Sequence, residues 1–374
     1  MNNTTPKNYL PGTHPDWPPP VSTSGLLAWA RKNLFSSPLN TVLTIMSFLL
    51  LWSIIPPFFE WSVTNSIFTA DSRIQCWDQM AAPGAGACWA FIDDRLALFT
   101  YGFYPEPLRW RVNLSFVLLA LAIVPVLYDK LPYRKYGLWY SAIFPFITGW
   151  LLVGGFVLEP VDTDQFGGIL LTLILGVTGI SFSLPIGIAL ALGRQSKLPV
   201  LRIMCVLFIE FIRGVPLITL LFVASTMLAY FLPPGTTFDL LLRVMIMVTL
   251  FGSAYLAEVI RGGLQAISRG QHEAGDSLGL TYWQANRLIV LPQALKISIP
   301  GIINTFIGNY KDTTLVLIIG MMDLLGLGNA ALADAKWAGL ANEVYLFVAL
   351  YFFVSCFSMS RYSLYLEKKL HTGH

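Results

Sequence analysis

Eight apolar segments, most of them free of charge throughout, follow one another along this chain and leave little choice of solvent. At about 1.5 Å of rise per residue, a helix of about 20 residues crosses a hydrocarbon core of about 30 Å. Within that core each backbone N–H and C=O must find its partner inside the segment, which selects helices. Spans are expected at about 41–59, 112–128, 138–158, 166–193, 206–232, 239–260, 296–320 and 343–361. Only 12% of the 374 residues are charged, too few for a soluble domain of average usage. The expected class is an all-α integral membrane protein.

Charge gives the orientation. Of the 24 Lys and Arg, all but Arg73, Arg95, Arg109, Arg111, Arg243, Lys336 and the intramembrane Lys311 fall on one side of the bilayer. The positive-inside rule makes that side the cytoplasm and places both termini there. The net charge of +3 therefore reports topology, and nucleic acid is not expected as a partner. The Pro-rich start, "THPDWPPP", lacks the basic and apolar regions of a signal peptide, and none is expected.

A tail (1–40) is followed by a module of three spans (41–165) with a long external loop (62–108), then by a segment (166–374) whose spans carry Gly, Pro and internal charges. In the external loop "CWDQMAAPGAGAC" can double back, so a Cys76–Cys88 disulfide is expected, two free thiols being the alternative. Cys205 and Cys356 lie in apolar text and read as packing residues.

Two short repeats, "EFIRG" and "EVIRG", each set an acid three residues before an Arg on one helix face. Glu210 with Arg213 reads as a structural ion pair, whereas Glu258 with Arg261 is a candidate for the transport path, a structural pair being the alternative for both. In "NYKDTTL", Lys311 and Asp312 stand between apolar runs, with Thr313 and Thr314 able to satisfy freed backbone groups. These four are further path candidates on a broken helix, and a self-neutralising Lys–Asp pair is the bland alternative.

Other chemistry is missing. There is no G-x-x-x-x-G-K-[ST] loop to bind ATP, and "GLGNAA" follows a membrane segment rather than a strand. "HEAGD" has Asp276 where a zinc-protease helix needs its second His. With only His14, His272, His371 and His374 available, no metal site is expected, and no nucleophile with a neighbouring base suggests an enzyme.

One polar stretch remains, "EAGDSLGLTYWQANRLIVLP" from Glu273 to Pro292. Ser268 with Gln271, and Thr281 with Gln284, match the capping box. Gly279 between them can end the first helix in a left-handed conformation, and Pro292 closes the second. Two helices of about ten residues are marginal alone in water and need a partner to pack against. Leu278, Leu280, Tyr282 and Trp283 are apolar anchors at the bend.

The same stretch resembles the EAA motif of ABC-importer permeases. Glu273, Ala274, Gly279, Ile289, Leu291 and Pro292 stand at matching places, while Gly275 replaces the second Ala. "FIEFIRGVPL", "AYLAEVIRGGLQAISRGQHEAG" and "NYKDTTL" are similar to the polar-amino-acid uptake branch, over about residues 166–366. Length and the three-span extension resemble the longer permease subunit of general L-amino-acid uptake systems. The resemblance implies a five-helix type I importer core (166–374) with a coupling loop (262–295), in the bacterial inner membrane. It also implies a second permease chain in a heterodimer, two ATPase subunits that use ATP and Mg, a periplasmic amino-acid-binding protein, and an amino-acid substrate. This chain would hold no cofactor and catalyse nothing. Coupling would rest on Glu273, Ala274, Gly279, Leu280, Trp283, Ile289, Leu291 and Pro292, with lipid around the spans. The alternatives are a secondary transporter driven by an ion gradient, or an ABC permease for another polar solute.

Overall fold

The computed structural model describes residues 25–227, 230 and 238–370. The Pro-rich stretch, His14, His371, His374 and part of the expected 206–232 span lie outside them. The described residues contain helices and a few isolated bridges, and no strand, so the fold is all-α as expected. The helices are α1 (Gly25–Asn33), α2 (Pro38–Phe59), α3 (Arg73–Asp78), α4 (Ala90–Tyr101), α5 (Arg109–Leu127), α6 (Arg134–Val153), α7 (Gly168–Arg194) and α8 (Pro199–Gly214). After these come α9 (Leu217–Phe222), α10 (Leu240–Gln265), α11 (Arg269–Ser277), α12 (Tyr282–Ala285), α13 (Leu291–Asp312), α14 (Leu324–Ala331) and α15 (Ala341–Leu370).

Seven described helices are long and apolar enough to cross a membrane, or eight if one bent pair is counted as a span. That pair corrects the expected 206–232 span. α8 and the segment Leu217–Met227 meet at 103°, because Pro216 has no N–H to continue the ladder and Val215 before it is driven to φ −110°, ψ 131°. A continuous run of apolar residues conceals this break.

The chain forms two compact units. Of the described residues, one holds 25–67 and 80–87 and the other holds 68–79 and the residues from 88 onward. In the first unit, α2 starts at Ser37, whose hydroxyl accepts the Asn40 N–H at 3.2 Å, with Pro38 in the first turn where a missing N–H costs nothing. No residue of α2 is buried within the chain, as suits a helix whose solvent is lipid.

In the second unit α7 and α10 form the centre. Leu170, Leu171, Leu175, Val244 and Val248 make one buried cluster, and Ile209, Leu256, Ile260, Val290 and Ala294 make another. Small residues in "GVTGISFSLPIG" let the helices approach closely. A Cβ added at Gly187 would stand 2.7 Å from Leu256 Cβ, and one at Gly176 would stand 2.6 Å from the Tyr310 ring. Gly252 on α10 admits the amide of buried Asn309 from α13 in the same way.

Cys76 and Cys88, both in the second unit, are joined by a disulfide with Cα atoms 6.0 Å apart. Next to it the Cys88 N–H donates to buried Glu343 at 3.1 Å, and Trp337, fully buried, stacks on Phe91 and donates to Asp94 at 2.9 Å. The residues around the disulfide are thus knitted to the segment that leads into α15.

Candidate coupling and transport sites

Gly279 takes φ +69°, which an L side chain resists, and ends α11 by turning the chain so that the Leu280 N–H returns to the Gly275 carbonyl at 3.1 Å. No heavy atom lies within 4 Å of a Cβ built at Gly279, so backbone conformation rather than space requires glycine there. At Thr281 the helix restarts, and Gln284 Oε1 accepts both the Thr281 N–H and its hydroxyl at 2.9 Å.

The other expected capping box does not form. Ser268 makes no side-chain cap, and Gln271 Oε1 instead accepts Gln293 Nε2 at 3.0 Å, which ties α11 to the start of α13. Nor does Pro292 close the second helix. α12 passes through a wide π turn, Asn286–Val290, directly into α13, giving helical backbone from Tyr282 to Ile319. The wider turn lets the Leu291 N–H reach the Asn286 carbonyl, so the ring of Pro292 enters without breaking the helix.

Gly275 gains a reason from this geometry. It is buried, and a Cβ there would lie 3.2 Å from Ala285 Cβ and 3.7 Å from Ile289 Cδ1. Its bareness lets α11 close on α12. Around the bend Leu278 is 74% exposed and Trp283 70% exposed, with Tyr282 against the Trp283 ring at 5.5 Å. Glu273, Ala274 and Pro292 are exposed, whereas Leu280, Ile289 and Leu291 are half-buried.

The charged repeats converge on one acid. Glu258 of α10 accepts from Arg261 through Nε at 3.0 Å and Nη2 at 2.8 Å, from Arg194 at the end of α7 at 2.7 Å, and faces Arg213 of α8 at 3.7 Å. Glu210 pairs with Arg194 at 2.9 Å. The expected Glu210–Arg213 pair therefore does not form. Arg194 reaches both acids, and Arg213 turns toward Glu258 and lies over the Tyr255 ring at 5.5 Å. Sequence reasoning missed Arg194, whose only signal is its place at the basic end of a long apolar helix.

Lys311 and Asp312 end α13, and no direct ion pair joins them among the described residues. The helix tightens into a 3-10 segment, Thr313–Ile319. Thr313 and Thr314 hydroxyls donate to the carbonyls of Tyr310 and Lys311 at 2.8 and 2.9 Å, relieving the backbone groups that the change of pitch frees. These four residues do not meet the Glu258 cluster. α13 touches α10 at Gly301 beside Val259, and Lys311 is ten residues further along, about 15 Å at the α-helical rise.

Beyond the spans, Asp323 caps α14. Its Oδ1 accepts the Gly326 N–H at 2.8 Å, its Oδ2 is buried without a partner, and burial pushes its carboxyl up to about 6.

Long apolar helices that enclose a charged cluster and carry a helical hairpin at one end define the class, a membrane-spanning transport permease. The chain belongs to the family of binding-protein-dependent transport system inner membrane components, whose model matches residues 183–372. It is similar to the inner membrane amino-acid ABC transporter permease protein YhdY of Escherichia coli strain K12, 48% identical over 96% of this chain and 97% of that one. It is also similar to the glutamate/glutamine/aspartate/asparagine transport system permease protein BztC of Rhodobacter capsulatus, 46% identical over 96% of each. A solved structure described as an amino acid ABC transporter with histidines is 30% identical, covers 54% of this chain and 92% of its own, and superposes with a TM-score of 0.48. Membership of a binding-protein-dependent family does not favour a secondary transporter driven by an ion gradient.

Proposed function

We propose that this chain is one permease of an ATP-driven importer of polar amino acids in a bacterial inner membrane. The observation that carries the reading is mechanical. The hairpin that exposes Leu278, Tyr282 and Trp283 runs through unbroken helical backbone into membrane helix α13. A partner that grips those side chains gains leverage on a span. The names of YhdY and BztC support amino acids as the cargo.

The partners in this reading are a second, different permease chain, two ATPase subunits that bind ATP and Mg, and a periplasmic amino-acid-binding protein. ATP hydrolysis belongs to the ATPases. Both termini and the hairpin face the cytoplasm. Glu273, Ala274, Gly279, Leu280 and Trp283 form the gripped face, and Ile289, Leu291 and Pro292 pass its displacement to α13. ATP shifts the two conformations only if those contacts differ in energy between them. Lys311, Asp312, Thr313 and Thr314 lie on the route of the substrate, where both charge signs and a helix end suit a zwitterion. Glu258 and Arg261 act at the other end of the same path, bonded to α7 and α8. Residues 41–165 serve as an extension and 166–374 as the core.

Replacing Gly279 by Val in the assembled transporter tests the coupling. A β-branched residue resists the left-handed turn, so the hairpin should lose its shape while the spans still insert. Substrate-stimulated ATP hydrolysis and uptake should both fall at least tenfold, and their persistence at full rate would refute the reading.

A further inference from the structure

We propose that α6, α7 and α10 form a binding track for a phospholipid whose headgroup carries a primary ammonium, in the leaflet nearest residues 160–165. Three adjoining hollows make the track. The first, of about 210 Å³, is lined by Phe116, Phe144, Leu170, Ile174 and Met245 and holds almost no polar surface. For comparison, an apolar cavity of about 150 Å³ stays dry and takes a small hydrocarbon. It shares Pro145, Thr178, Leu242 and Met245 with a second hollow of about 440 Å³ that opens between Phe146, Phe182 and Ile246. It shares Val153, Thr163, Phe166, Asp239 and Leu241 with a third of about 560 Å³.

The length of the track fits an acyl chain. Leu241 lines the first and third hollows and Leu250 the far end of the second. Nine helical residues rise about 14 Å, close to half of a hydrocarbon core of about 30 Å. An apolar groove one leaflet long, walled by exposed Phe146 and Ile246, matches a lipid tail and offers a water-soluble solute nothing.

Charge at the lip selects the headgroup. Among the described residues the third hollow is lined by Asp162, Asp164 and Asp239 and by no Lys, Arg or His. The Thr163 hydroxyl donates to Asp239, which also caps α10 by accepting the Leu242 N–H at 2.9 Å. Asp162 and Asp164 are exposed and have no ion-pair partner among the described residues. Three like charges attract an ammonium and repel a headgroup that is purely anionic. Phosphatidylethanolamine fits the site, and phosphatidylglycerol does not.

Native mass spectrometry of the full chain, purified with its membrane partners, stripped of lipid and supplied with both lipids at equal mole fraction, tests this. Phosphatidylethanolamine should be retained at least fivefold over phosphatidylglycerol. Gly149 lines the first hollow, and a Cβ built there meets nothing within 4 Å, so Gly149→Leu places new side-chain volume in the track with no clash at its first atom. It should cut retention at least fivefold with the melting temperature kept. Asp162→Asn combined with Asp164→Asn should bring the preference toward one while total lipid binding persists. Equal retention of both lipids by the wild type, or unchanged retention in Gly149→Leu, would overturn the proposal. So would displacement of the lipid by millimolar amino acid, which would make the lip a solute site, or failure of the assembled transporter to retain either lipid, which would make the groove a protein interface.

Discussion

Arg194 at the end of α7 bonds Glu258 of α10 at 2.7 Å and Glu210 of α8 at 2.9 Å, so one guanidinium ties three helices together. Glu258 is the harder member to lose. Its side chain is 14% exposed and answers three arginines, whereas Arg194 leaves Glu258 still paired with Arg261. Truncating Glu258 strands like charges in a poorly hydrated place, and removing one partner of a buried pair costs about 3–5 kcal/mol. Partial exposure lowers that to about 2–3 kcal/mol here. Glu258→Ala should therefore unfold more readily than Arg194→Ala, which should cost about 1–2 kcal/mol. Thermal unfolding of both variants in detergent checks the order, and a reversed order would place the anchor on Arg194.

Gly275 departs from the Ala of the family motif, and the geometry predicts a graded response. A methyl would sit 3.2 Å from Ala285 Cβ, a contact that a shift of a few tenths of an ångström relieves. The better helix propensity of Ala returns about 1 kcal/mol. Gly275→Ala should therefore keep transport within about twofold of wild type. Gly275→Leu has no such escape and should push α11 away from α12, lowering substrate-stimulated ATP hydrolysis at least tenfold with membrane insertion unchanged. Equal activity of the two variants would show that the helices need not close.

Hydropathy and turn chemistry made the spans and the hairpin legible, and distance hid the rest. The left-handed turn at Gly279 is local, so its residue type announces it. The break at Pro216 is also local, yet apolar residues run through it and hydropathy alone does not register the bend. Pro292 misled in the opposite sense, because a π turn absorbs the proline that ordinarily stops a helix. Glu210 found Arg194 rather than Arg213, since spacing within one helix says nothing of a neighbour 16 residues earlier. Both readings of the Glu258 repeat survive, with the path role a proposal and the ion pairing a fact of the fold.

The Cys76–Cys88 disulfide closes a short loop whose segments pack beside Trp337 and Glu343. Closing a loop of this size contributes about 3 kcal/mol through the entropy of the open chain. Cys76→Ser with Cys88→Ser should therefore loosen residues 68–79 and the approach to α15, while α7 and α10 keep their packing. Limited proteolysis should cut the double variant within residues 68–89 at protease levels that spare the wild type. Equal resistance would show that Trp337 stacking on Phe91 holds the region unaided.

Asp323 predicts a pH dependence of stability. Its folded carboxyl stands at about 6 against an ordinary value of 3.8, raised by burial with Oδ2 unpartnered. A carboxyl raised by folding binds its proton more tightly in the folded state. Its stabilising contribution is full below about 3.8 and is lost as pH rises through about 6, because the charged form must then be held away from water. The difference of about two pH units corresponds to at most about 3 kcal/mol. Asp323→Asn keeps a residue that caps helices well and cannot ionise. The wild type should lose stability relative to this variant between pH 4 and pH 7, and the gap should close below pH 4. Melting temperatures measured across that range in one detergent check the sign, and a gap that widens toward low pH would mean that Asp323 is charged in the folded protein.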